Sequence, residues 1–560
     1  MINDLALRDY MVSQKGERMI SVSRNGALLA LAGLVVLETM LPLSAFAVIN
    51  SQEVEKVKTL MAKPAITPAA MEERDIDRID KTIMEKELDL LKLNSNLKLH
   101  TLPTPWAGRR WWVFNVGGVG LTAAGAYING FTRFSYLHKK RINRVPKYQL
   151  PDAALCRITA NCIMVGGGLL EEASLVYRWW KDKRQGVSLP TMRRYADGVQ
   201  DDVDALLAKR EALVSELPAG SNERRLYESE GKVLKDIRDL GVNEFVRYYS
   251  DSKSATAFFA TSYFWAAASN FIAGAGGITG YQASLTRRGT ARQRTRRGGV
   301  GGITDIISGS MNTATALVVR VAAGVAQHDA HHKLCRALDC KEETHLDALH
   351  AHQEELHNLV STTPELSVHG TVMKDNVFAH ETQILDEHEK IRLGDKAAKK
   401  RRLVSQLIFF SGVGPPKLVN GIGTTTAAFH WTDPKQKQKA FRDIGYTATV
   451  YGVGYSVAMA ELIRSQISNE MRAAKAKREG HSAPQILRRE MSDMDKLASA
   501  IQTGSPVSEL FPDREPILKP SISMKPSWVQ KKEQKPESAA EAPSDSAAPP
   551  VSDSSQKVPN

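Results

Sequence analysis

Charge is absent from two long stretches of this chain: no Asp, Glu, Lys or Arg occurs from Trp111 to Phe131 or from Ser254 to Thr286. A helix needs about 20 mostly apolar residues to cross a bilayer core, so both stretches are long enough. Cysteine is scarce, with Cys156, Cys162, Cys335 and Cys340 as the four in 560 residues, too few for a disulfide scaffold. Enzyme signatures are also missing. The chain has no GxxxxGKS or GxxxxGKT phosphate loop, no HExxH, no GxSxG elbow and no CxxC. The run Gly298-Gly299-Val300-Gly301-Gly302 follows a basic loop and precedes an apolar segment, so it reads as a flexible joint rather than a nucleotide cradle. A non-enzymatic protein without a resident cofactor is expected.

A repeat organises what remains. Three times a nearly uncharged, Gly/Ala-rich stretch is followed by a short basic loop, a second apolar stretch closed by an arginine, and a long polar helical segment. The first stretches are Trp111 to Phe131, Thr256 to Gly280 and Leu403 to Phe429. Arg178, Arg320 and Arg464 close the second stretches at intervals of roughly 145 residues. The expected fold is all-α: a polytopic membrane protein of three transmembrane helical hairpins, with coiled-coil-like extracytoplasmic helical hairpins between them. The net charge of +13 and mean hydropathy of -0.29 resemble those of a soluble basic protein. The averages hide the membrane segments, because the long charged helices dilute them.

The second stretches are weaker spans than the first. Ile444 to Ala460 is adequate, Ile158 to Leu170 runs into Glu171-Glu172, and Ile306 to Val319 is bounded by Asp305 and Arg320. Counting back from the closing arginines aligns Gly166 and Gly168 with Ser308 and Ser310 and with Gly452 and Gly454. Small residues at one depth let helix backbones approach closely in lipid. Leucine at these positions is therefore expected to disrupt packing far more than leucine at Gly130.

Orientation follows from the N-terminus. Arg24, the apolar run Ala27 to Leu37, Pro42 and Ala45-Phe46-Ala47 form a secretory signal peptide over residues 1–47, with Met19 as a possible true start because Asp4, Asp9 and Glu17 are unusual in such a leader. An uncleaved signal anchor gives the same topology. The loops 132–149 and 286–299 then lie inside, and neither contains an acidic residue, as the positive-inside rule requires. Lys396, Lys399, Lys400, Arg401 and Arg402 fall outside and oppose it. The resulting divisions are 48–110 extracytoplasmic, 111–178 membrane hairpin, 179–253 extracytoplasmic helical hairpin, 254–327 membrane hairpin, 328–402 His-rich extracytoplasmic hairpin, 403–465 membrane hairpin, 466–511 a single extracytoplasmic helix, and 512–560 a disordered tail rich in Pro, Ser, Ala, Lys and Glu. The location expected is a bacterial inner membrane, with the large segments on the periplasmic side.

The segments between hairpins carry heptad seams. Met192, Ala196, Val199, Val203, Leu206, Arg210, Leu213 and Leu217 alternate at four and three residues with one polar exception. A break at Leu217-Pro218-Ala219-Gly220-Ser221 leads to a second seam at Leu226, Val233, Ile237 and Leu240. Leu346, Leu349, Leu356 and Val360, a break at Thr362-Thr363-Pro364, and Val377, Ile384 and Ile391 repeat the plan. Such hairpins either project as stalks that bind partners or copies of the chain, or pack together as one bundle. Basic residues flanking apolar stretches fit anionic lipid better than nucleic acid.

Three groups are candidate sites. His328, His331, His332 and Cys335 share one helix face with spacing suited to zinc or copper. Cys335 and Cys340 could instead form a disulfide if the helix breaks near Leu338-Asp339. Glu171 and Glu172 sit within or at the edge of a membrane segment, where pairing with Arg178 as structural glue is favoured over an ion relay. Gly414-Pro415-Pro416-Lys417 places two helix breakers and a cation near mid-membrane, as either a broken-helix binding site or a simple kink. The leading function is a partner-binding envelope protein, followed by a small transporter or channel and then by metal sensing.

Overall fold

The computed structural model describes residues 76–102, 105–138, 149–285, 291–340, 346–362, 369–430, 436–505, 507 and 511. The signal peptide, residues 139–148 and 286–290 of the basic loops, and the tail lie outside the described residues. The chain divides into Met1–Leu510 and Phe511–Asn560, and only Phe511 of the second unit is described.

The described residues form ten helices and no strand, which establishes the all-α class. They are α1 (Ile76–Thr101), α2 (Pro105–His138), α3 (Gln149–Gln185), α4 (Leu189–Ser215), α5 (Asn222–Leu285), α6 (Ala291–Ala337), α7 (Leu346–Thr362), α8 (His369–Phe429), α9 (Lys437–Arg478) and α10 (Ala483–Thr503). Local chemistry fixes the ends. Gly220 adopts φ 81° in the turn before α5, and the Ser221 hydroxyl caps that helix by accepting from the Arg224 backbone N–H at 3.1 Å. The expected single helix over 466–503 is two helices. Gly480 takes the left-handed conformation at φ 71°, the backbone is extended at Ser482, and Pro484 in the first turn starts α10 in a new direction.

Six helices close into a ring. Contacts run α2 to α3, α3 to α5, α5 to α6, α6 to α8, α8 to α9, and α9 back to α2. Each hairpin of the repeat thus supplies two neighbours, and the first and third hairpins meet to complete the circle. The other helices, with the N-terminal parts of α5 and α8, form a head bundle around α1. That helix contacts α4, α5 and α10, while α7 packs on α5 and α8. The segments therefore pack on one another instead of projecting as separate stalks. α5 has 64 residues and α8 has 61, each running unbroken from head to ring, so 253/254 and 402/403 are not joints.

Among the described residues, two helices, over Leu150–Gln185 and Arg296–Ala337, are long and apolar enough to cross a membrane. These are α3 and α6, the second helices that read as weak in sequence, whereas the uncharged first helices do not reach the same hydropathy. Lack of charge is not hydrophobicity: α2 carries Gly117, Gly118, Gly120, Thr122, Gly125 and Asn129, which add little.

Glycines set the close approaches within the ring. A side chain at Gly454 would strike the Gly412 carbonyl of α8 at 2.5 Å, and one at Gly452 the Tyr127 ring of α2 at 3.1 Å. In the other two hairpins one residue of each expected pair, Gly168 and Ser308, makes contact and the other does not. Gly166 and Ser310 are exposed, and a Cβ on Gly166 meets nothing within 4 Å. Contact falls on the expected Gly168, against Ala267, and Ser308, whose carbonyl accepts from Ser269 Oγ at 3.2 Å, and also on Gly167 against Phe114 and Gly309 against the Leu418 backbone. A ring helix has two neighbours on adjacent sides, so consecutive small residues serve them. Gly130 is no neutral control either, since a Cβ there lies 2.6 Å from Thr449 Oγ1.

Candidate functional site

Four ring helices direct polar side chains to one place. α3 supplies Arg157, α6 Asp305, α8 Lys417 and Asn420, and α9 Tyr451 and Tyr455. Asp305 is 1% exposed and bound on both oxygens. Arg157 Nη2 donates to Oδ1, and Asn420 Nδ2 donates to Oδ2 at 3.0 Å. Arg157 also reaches the Ala273 carbonyl of α5 at 3.4 Å. Lys417 is 1% exposed, and Asp305 and Arg157 both act on its charge. The rings of Tyr451 and Tyr455 meet edge to face with centroids 4.6 Å apart, and both phenols feel the charges of Asp305 and Arg157.

Two basic side chains, Arg157 and Lys417, thus share the surroundings of one carboxylate in a buried setting. Arg157 Nε and Asn420 Oδ1 are buried there without a hydrogen-bond partner among the described residues. Burying a charge is tolerated only when it is paired and hydrogen-bonded. The Arg157–Asp305 pair meets that condition, and Lys417 is a second basic group beside it. Arg157 is eight residues into α3 and Asp305 fourteen into α6, so at 1.5 Å per residue the cluster lies about 12–21 Å from the loop end of the ring.

Pro415 and Pro416 place Lys417 without breaking the helix. α8 continues through both prolines, contrary to the broken-helix expectation. Pro416 has no N–H for the Gly412 carbonyl, and that carbonyl faces Gly454 of α9. The helix continues through the diproline with the Gly412 carbonyl packed against Gly454.

The remaining expected sites lie elsewhere. Glu171 is held by Arg110 through two hydrogen bonds of 2.9 and 3.1 Å, both side chains being buried. Its partner is Arg110 on α2 rather than Arg178, and the pair ties α2 to α3. Glu172 is only partly buried and takes no part in the cluster. The metal reading of His328, His331, His332 and Cys335 loses its sulfur ligand. Cys335 is bonded to Cys340, with the helix broken at Leu338-Asp339 and Asp339 at φ 42°, so its thiolate is not available to a metal. His328 and His332 stack at 6.1 Å beside an open groove, and among the described residues no group of three or more His, Cys, Asp or Glu side chains is arranged to hold a metal ion.

Arg157, Asn420, Tyr451 and Tyr455 are not legible in the sequence as site residues. One signal exists: Arg157 and Asp305 stand at the same end of two second helices, with opposite charge. Comparison of the sequence with protein-family models and with curated proteins finds no match.

Proposed function

We propose that the protein is an integral membrane protein whose three helical hairpins, α2/α3, α5/α6 and α8/α9, cross the bilayer as a ring, and that it passes a small ion or polar solute through the ring without enzymatic chemistry. The observation that carries this reading is the inverted polarity of the ring. Large apolar side chains point outward, with Phe264, Phe271 and Leu317 at 66%, 69% and 68% exposure, while Arg157, Asp305 and Lys417 point in. Among the described residues, the exposed large apolar side chains lie on the six ring helices apart from Val372 and Leu393 in the head part of α8. Water would disfavour so large an apolar belt, and lipid would match it.

Further features support the orientation. Trp179 and Trp180 are exposed beside Lys183 and Arg184, which stack on them, as in an interfacial belt at the head side. The Cys335–Cys340 bond favours an oxidising compartment for the head. The signal-peptide pattern and the basic loops favour the same sidedness, which corresponds to a bacterial inner membrane with a periplasmic head. Repeats related by an axis along the membrane normal, with a polar site near mid-depth, are a transporter plan. Partner binding by projecting stalks has less support, because the seams are buried against one another.

Flux from liposomes tests the reading. Reconstituted protein is expected to release protons, chloride or potassium faster than protein-free vesicles. Lys417→Ala is expected to reduce that flux at least about tenfold, the loss expected when a charged group essential to passage is removed. Leu169→Ala on the outer surface is expected to leave it unchanged. No flux of any of the three ions, or equal flux through Lys417→Ala, would sink the transport reading.

A further inference from the structure

Ionisable residues recur every seven residues along the core of the head bundle. On α8 they are Lys374, Glu381, His388 and Asp395, and on α1 Asp80 and Glu87 are followed by Asn94. α5 contributes Glu230 and Glu244 on either side of Ile237. The seven-residue repeat stacks these positions in layers about 10 Å apart.

The layers on either side of Glu87 and Glu381 contain basic partners. In one, Lys374 Nζ reaches Asp77, Asp80 and Glu230 at 2.6, 3.0 and 3.2 Å, and Arg210 binds Asp80 and Glu230. In the other, His388 lies between Glu244 at 2.8 Å and Glu490 at 2.9 Å, with Ser95 Oγ at 3.2 Å. The middle layer differs. Glu87 and Glu381 are 1% and 0% exposed, and all four of their carboxyl oxygens are buried with no donor among the described residues. Apolar neighbours on their own helices, Met84 and Leu88, and Val377 and Ile384, are buried with them. Two bare carboxylates in such a layer cannot both ionise while the helices stay packed.

We propose that Glu87 and Glu381 form a proton-binding site inside the head bundle, holding at least one proton between them whenever α1 and α8 are packed together. Deprotonation releases that proton to water and leaves a second carboxylate with no counter-charge, which forces the layer open. Protonation from the solvent closes it again.

The surrounding charges favour this assignment. Burial raises the affinity of both carboxyls for protons well above the ordinary glutamate range, Glu381 and Asp80 push Glu87 further up, and Arg238 of α5 pulls it down. Arg238 is already engaged by Asp204 of α4 and by Asp239. On α7, His350 faces Asp386 and His352 faces Asp236, and on α10 Glu490 faces His388.

The sign of the pH effect follows. A carboxyl whose folded pKa is raised contributes stability fully below about 4.5, the ordinary glutamate value, and loses it as pH rises through the folded value. The opening equilibrium of the head should therefore grow about tenfold per pH unit for each proton released. Two other groups act in the same direction. Burial opposes the charge of His388, but Glu244 and Glu490 outweigh it and hold the imidazole up at about 10. Burial likewise lifts Glu230 to about 7 against the pull of Lys374. Both remain in a Glu87→Gln, Glu381→Gln double variant, so the difference between the two proteins isolates the pair.

Hydrogen exchange of α1 and of the head part of α8, measured on the full chain in nanodiscs between pH 5 and pH 9, provides the test. The wild type should open more with rising pH, and the double variant should lose about one decade of that dependence per pH unit for each proton the pair holds. Equal pH slopes in the two proteins would overturn the proposal. Infrared difference spectra supply a second readout if the double variant misfolds. A protonated-carboxyl band at neutral pH in the wild type, lost in Glu87→Gln or Glu381→Gln, supports the site, and its absence in the wild type overturns it.

Discussion

Leucine at Gly454 is expected to break the ring. The glycine lies where α9 crosses α8, with the Gly412 carbonyl and Pro416 on the line a side chain would take. Pro416 cannot shift without moving the diproline segment that positions Lys417, so neither surface yields. Overpacking of a tight interior costs about 1–3 kcal/mol when side chains can move, and contact with backbone should exceed about 3 kcal/mol here. Gly166→Leu is the matched control. It changes the same residue type in a second helix of the repeat, but its Cβ enters open space, so an effect within about 0.5 kcal/mol is expected. Thermal unfolding in detergent, followed by helical circular dichroism, separates the two. Equal melting of Gly454→Leu, Gly166→Leu and the parent would show that ring packing does not hold the fold together.

Lys374→Met is expected to be nearly as damaging to the head. Asp80 and Glu230 are both 0% exposed and share two cations, Lys374 and Arg210, so removing one leaves two buried carboxylates on a single guanidinium. Breaking a buried ion pair by deleting one partner costs about 3–5 kcal/mol, which corresponds to a melting shift on the order of 10 °C for a domain this large. The penalty should depend on pH. Glu230 already sits at about 7, and losing Lys374 raises it further, so the variant can relieve the imbalance in acid by protonating that carboxyl. Denaturant titrations at pH 5 and pH 8 should show the larger loss at pH 8. A second substitution, Glu230→Gln, should recover part of it. A loss that is the same at both pH values and unaffected by Glu230→Gln would mean that Lys374 acts through packing of its stem alone.

Much of the helical plan is legible in the residues, and the misses have physical causes. The seams at Met192, Val199, Val203 and Leu206, and at Val377, Ile384 and Ile391, are buried, and the turn at Pro218 and Gly220 lies where the seam breaks. Arg210, the polar exception in its seam, is the inward cation that binds Asp80. Lys374, Glu381 and His388 escape a reading that seeks core positions among apolar side chains. They nevertheless alternate by three and four with Val377, Ile384 and Ile391, the spacing of a single coiled-coil face. The ring centre is harder to see. Lys417 stands out as a cation beside two prolines, but its neighbours Arg157, Asp305 and Tyr455 come from three other helices far apart in sequence, and only ring closure brings them together. In two hairpins the repeat alignment finds only one of the two small contact residues, because it allows one packing face per helix, whereas a ring requires two.

The central claim is that three hairpins cross the membrane and leave the head bundle on the outer side. Cysteine labelling tests it most directly. In a chain with all four cysteines changed to serine, single cysteines replace Ser221 in the head turn, Thr363 after α7, and Thr290 between α5 and α6. An impermeant maleimide applied to spheroplasts should modify the first two and reach the third only after the membrane is opened. Labelling of Thr290 before opening, or equal labelling at all three positions, would contradict the topology on which the proposed transport depends.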